Sequence, residues 1–189
     1  MKRFLCLLLV LVFVPLVSFS DSVYSSKLNM TMQDFVEKYN MIGASLDSPL
    51  KALENPYRWT KYNKYNVAWF QCDKKSNVIL LLESSDPASD HHSLSCGLDC
   101  VQIAVFGTEN FLSHVAVASR AFSLFAPNIL GLDSSYYLVG NLMKEYYDNN
   151  CFEKNMSYQR QVEADGSIVV RFYNDSGYYY FDIVSISDL

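Results

Sequence analysis

Six side chains between positions 86 and 100 could do chemistry together: Asp86, Asp90, His91, His92, Cys96 and Cys100. Imidazole, thiolate and carboxylate are the groups that bind zinc, and a metal-assisted hydrolase would draw on Asp90, His91 and His92. Two facts oppose that use. Adjacent histidines rarely reach one ion with good geometry, and cysteines of an exported chain tend to be oxidised and lost as ligands. The competing reading is a solvated polar loop beside a disulfide, with no metal. His114, beside a helical stripe, reads as a surface residue rather than as the base of a Cys–His pair. The chain holds no Gly-x-Ser-x-Gly elbow, Gly-x-Gly-x-x-Gly turn, Walker Gly-Lys-Ser/Thr or His-Glu-x-x-His, so no familiar enzyme motif and no cofactor are implied.

A second constellation lies in Lys51–Lys75. Six basic residues face only Glu54 and Asp73 there, a net of +4. Tyr57, Trp59, Tyr62, Tyr65, Trp69 and Phe70 are interleaved with them. Charge and ring stacking could hold an anionic or sugar-containing ligand, with Arg58, Trp59, Lys61, Tyr62 and Lys64 as the binding side chains. The competing reading is a loop leading into a core strand that buries Trp69 or Phe70, with the lysines solvated.

The elements that would position these groups follow from periodicity. Thr31-Met32-Gln33-Asp34 has the form of a helix start, and Phe35, Tyr39 and Ile42 form one apolar stripe up to a stop at Gly43. A short helical turn is expected over Pro49–Glu54. Val67–Cys72 and Val78–Glu83 read as strands joined by a hairpin loop, and Asp99–Phe106 as a third. Phe111, Val115, Ala118, Phe122 and Phe125 mark a second helix. A third, starting near Asp133, presents Tyr136, Val139, Leu142, Met143 and Tyr146. Three strands close the chain, over Tyr158–Glu163, Ser167–Tyr173 and Tyr178–Ile186, with turns at Asp165-Gly166 and Asn174–Gly177. Hairpin-linked strands and helices arriving in blocks predict an α+β fold. An antiparallel sheet of about six strands carries helices on one face, in an order that resembles one α-βββ unit used twice.

The first twenty residues read as a secretory signal: Lys2 and Arg3, an apolar run from Phe4 to Val17, then Ser18-Phe19-Ser20 before Asp21. The run is shorter than the ~20 apolar residues that span a bilayer. Removing it leaves a single domain over residues 21–189, in the periplasm, the cell envelope or outside the cell, with no membrane span. Loss of Lys2 and Arg3 leaves 13 basic against 20 acidic side chains, a net charge of −7. Such acidity argues against a nucleic-acid partner. Cys72, Cys96, Cys100 and Cys151 then form an even set in an oxidising compartment, which reads as two disulfides. Cys96–Cys100 and Cys72–Cys151 is the preferred pairing, and the long bridge would contribute about 4 kcal/mol by the chain-entropy model.

The segment from Met30 to Asn40, with Phe35, Tyr39 and Asn40 in the pattern Phe-x-x-x-Tyr-Asn, resembles the mature start of small exported bacterial proteins of unknown function. That resemblance implies an antiparallel sheet covered by helices, and it implies no reaction. The expectation is a non-catalytic binding or interaction domain, whose ligand is a protein, an anion or a glycan.

Overall fold

The computed structural model describes residues 26–45, 52–73, 77–107, 109–125, 132–148, 158–161 and 168–185. The leader, Cys151 and the Asp165-Gly166 turn lie outside them. The first helix, α1 (Met32–Ser45), starts as its residues dictate. Thr31 Oγ1 accepts from the Asp34 backbone N–H at 3.0 Å, and Asp34 Oδ2 accepts from the Thr31 N–H at 3.3 Å. This reciprocal cap satisfies two donors that a helix start leaves unpaired. Met32, Phe35, Val36 and Tyr39 turn inward and are buried.

Gly43 does not end α1. It lies where the guanidinium of Arg120 crosses the helix, and a Cβ there would collide with that group. Arg120 is buried, donates from Nε to the Tyr39 carbonyl at 2.7 Å and sits 4.0 Å from the Tyr39 ring centroid. Gly43 is thus a packing glycine, needed for the approach of α2 (Phe111–Phe122). In α3 (Leu132–Asp148), Val139, Leu142, Met143 and Tyr146 are buried as the stripe requires. Tyr136, expected on the same face, is exposed.

Among the described residues seven strands form one sheet in the order β1-β2-β3-β4-β7-β6-β5, with every neighbouring pair antiparallel. They are β1 (Arg58–Tyr62), β2 (Tyr65–Asp73), β3 (Val78–Ser84), β4 (Cys100–Phe106), β5 (Tyr158–Gln161), β6 (Ile168–Asp175) and β7 (Tyr178–Ser185). The extra strand relative to the sequence reading is β1. It folds back on β2 through Asn63-Lys64, with Asn63 in the left-handed region at φ 52°, a conformation asparagine tolerates. The described part of the Pro49–Glu54 turn, Ala52–Glu54, is not helical. A short 3-10 turn covers Pro87–His91 within the polar loop. The last hairpin turns on Ser176 (φ 51°) and Gly177 (φ 83°), a pair of positive-φ residues that matches the twist of its strands. Two meanders, β1–β4 and β5–β7, meet at the β4–β7 pair, where Val101 lies opposite Ile183. The first half has one helix before four strands and the second has two before three, so the units are alike but not equal.

The three described helices contribute to one core with one face of the sheet: Phe70, Leu80, Leu82, Val101, Ile103, Phe172, Phe181 and Ile183 are buried with the helical stripes. His114 belongs to this core. It is fully buried, with Nε2 3.2 Å from the Ile103 carbonyl, and is not the surface residue its place in the sequence suggests. The helix α2 packs on β4, on α1 and on α3 at once, so its flanks are covered as well as its stripe.

Two outcomes follow. Gly43→Ala should destabilise the protein by about 2–4 kcal/mol in urea unfolding, because it displaces a buried, hydrogen-bonded cation. Burial of His114 pushes its pKa down to about 4 from 6.5. The unfolded chain therefore takes up this proton first, and stability present above pH 6.5 is lost as pH falls toward 4. The difference amounts to about 3 kcal/mol. Unfolding of wild type and His114→Gln at pH 7.5 and pH 4.5 should show the smaller acid loss in the variant.

Candidate functional site

Alternation along each strand sends every second side chain to the face opposite the three described helices. The registers line these residues up across the sheet. One row runs Arg58, Trp69, Leu81, Gln102, Asp182, Arg171, and the next runs Ile79, Ala104, Tyr180, Tyr173. The face is concave and encloses a trough of ≈ 800 Å³ between β1 and β6. Its aliphatic floor, Val67, Leu81 and Ala104, is buried beneath Trp69, Ile79, Tyr178 and Tyr180.

A polar network crosses the trough beneath the tyrosines. Asp182 is only 1% exposed. Its carboxylate accepts from Arg171 Nη2 at 2.8 Å and from Gln102 Nε2 at 3.0 Å, and Gln102 Nε2 also donates to the Tyr173 hydroxyl at 2.7 Å. Burial pushes the Asp182 carboxyl up, with Arg171 opposing the shift. Burial, helped by the negative charge of Asp182, also holds the Tyr173 phenol far above its ordinary value, so Tyr173 stays protonated. Tyr173 and Tyr180 stack at 4.8 Å between centroids, 15° from parallel.

The basic–aromatic segment is divided between two faces. Arg58 and Tyr62 line the trough, with the Arg58 guanidinium 5.2 Å from the Trp69 ring centroid and Tyr62 72% exposed at its rim. Lys64 stands 5.2 Å over the Tyr65 ring. Lys61 borders the trough, but its ammonium pairs with Asp90 at 2.7 Å. Trp59 points the other way, against the helix-side core, and stacks on His92 with centroids 5.2 Å apart. Phe70, not Trp69, is the core aromatic of β2.

The His91–His92 loop is not assembled as a site. Asp90 is held by Lys61 and by Asn66 Nδ2, which lower its pKa, and His92 is occupied by Trp59. Among the described residues no group of three or more His, Cys, Asp or Glu side chains could hold a metal ion.

No disulfide joins the described cysteines. The expected Cys96–Cys100 bridge is not formed because the sheet separates the two side chains. Cys96 is in the helix-side core and donates to the Ser93 carbonyl at 3.0 Å, whereas Cys100 packs with Val169 and Val184 on the open face. The Cys72–Cys151 pairing lies outside the described residues through Cys151.

The residues missed from the sequence are Gln102, Arg171, Tyr173, Tyr178, Tyr180 and Asp182. Their signal was the alternation Tyr178, Tyr180, Asp182, which gives a shared face but not its neighbours. Arg171→Met should leave Asp182 buried without its cation and destabilise the fold at pH 7 by about 3 kcal/mol. The deficit should shrink as pH falls, because the variant raises the folded pKa of Asp182 further above its unfolded value and proton uptake then favours the folded state. Paired urea unfolding curves at pH 7 and pH 5 check both the size and the sign.

No protein-family model, no curated protein and no solved structure matches the chain.

Proposed function

We propose that the chain is an exported, non-catalytic binding domain that holds its ligand in the trough on the open face of the sheet. The observation that carries this reading is the trough itself. The sheet face opposite the described helices is concave, of a volume typical of ligand pockets, and mixes aromatic rings with a few convergent polar groups. Supporting the non-catalytic part, the carboxylate at its centre is engaged on both oxygens by Arg171 and Gln102, an arrangement suited to holding shape rather than to moving protons. Export rests on the Lys2-Arg3 start, the apolar run and the Ser18-Phe19-Ser20 exit. Among the described residues no helix is long and apolar enough to cross a membrane.

The test is affinity capture from the native host with the mature protein and with a Trp69→Ala/Tyr180→Ala double variant that unfolds at a similar temperature. A partner or ligand recovered by the wild type and lost by the double variant is the expected result. Retention by the double variant, or chemical conversion of the captured ligand, would overturn the proposal.

A further inference from the structure

The charges that border the trough limit what it can recognise. Lys61 is neutralised by Asp90, and Arg171 by Asp182. Arg58 lies over Trp69, and the Asp175 carboxylate accepts from Ser176 Oγ at 3.0 Å. With those two pairs set aside, the lining leaves Arg58 against Glu83 and Asp175, a difference of one charge. A site for an anion would show surplus positive charge aimed inward, and an ammonium site would show surplus acid. A difference of one charge across so broad a lining is neither.

What it does present is ring surface and neutral hydrogen-bonding groups. Trp69, Tyr173, Tyr178 and Tyr180 rise from the floor, and Tyr62 stands at the rim. Aromatic faces carry negative potential and attract the weakly positive C–H groups of a saturated ring, while phenol hydroxyls donate to and accept from alcohols. A ≈ 800 Å³ concavity also disfavours a second copy of the chain. Two concave faces brought together would enclose a void instead of burying their rings.

Resting on the binding role proposed above, we propose that the occupant of the trough is a neutral oligosaccharide, its sugar rings stacked on Trp69 and Tyr180 and its outer units on Tyr62.

Titration calorimetry of the mature protein against a panel of neutral oligosaccharides of glucose, galactose, mannose and N-acetylglucosamine units tests this, with polygalacturonate and inorganic phosphate as anionic counterparts. At least one neutral member should bind, with affinity unchanged between about 0.05 and 0.5 M salt. Tyr180→Ala and Trp69→Ala should each weaken it roughly tenfold. Tyr62→Ala, a change at an exposed rim position that leaves the fold intact, should weaken it several-fold. Tyr137→Ala, at an exposed position on α3, should have no effect. Binding to the anions alone with a steep salt dependence, binding unaffected by all three trough variants, dimerisation lost on Tyr180→Ala, or no binding by any panel member would each overturn the proposal. A protein captured from the host through Trp69 and Tyr180, with no sugar bound, would leave the binding role standing and remove only the glycan.

Discussion

An antiparallel sheet with helices on one side must keep two chemically different faces in phase along every strand. A slip of one residue between β4 and β7 would turn Ile183 and Phe181 outward and drive Asp182 and Tyr180 into the helical core. That register is therefore the constraint on which the rest depends. It joins the two meanders, fixes the core against α2, and lines up Gln102 with Asp182 and Ala104 with Tyr180 on the opposite side. The trough is a by-product of the same alternation that builds the core.

The open face manages its exposure with side chains that are apolar along their bodies and polar at their tips. Trp69, Tyr178 and Tyr180, with Ile79, cover Val67, Leu81 and Ala104, so aliphatic surface is shielded without any of the described helices. In the Arg171–Asp182–Gln102 group beneath them the buried carboxylate is paired on both oxygens, and breaking such a pair costs more than the intact pair contributes. The group is hydrogen-bonded across β4, β7 and β6, and its members fit only in the observed register.

Much of this was legible from local patterns. The Thr31/Asp34 cap, the stripes of α1 and α2 and the Ser176-Gly177 turn are short-range signals, and each element lies within a few residues of its expected bounds. What escaped were properties set at long range. β1 is five residues, four of them charged or hydroxylated, and only its pairing with β2 makes it a strand. Gly43 reads as a helix stop until Arg120, 77 positions later in sequence, is seen to need the space. The pairing of Cys96 with Cys100 fails because the peptide between them carries the chain from the helix side to the start of β4, a crossing that spacing alone does not reveal. The basic–aromatic segment supplied Arg58 and Tyr62, but the other half of the trough comes from β4, β6 and β7, whose rings and acids are distant in sequence.

The β4–β7 junction also bears on the order of assembly. Gln102 and Asp182 are separated by eighty positions, and the first meander is complete at Phe106, well before β7 has been synthesised. Until β7 arrives, β4 is an edge with unpaired amides and the residues Val101, Ile103 and Val105, all of high strand propensity. Closing so long a loop lowers the folding rate, and the half-built sheet stays open to wrong pairing during that interval. The unpaired β4 edge is therefore the part of the nascent chain that a holding chaperone would need to cover first.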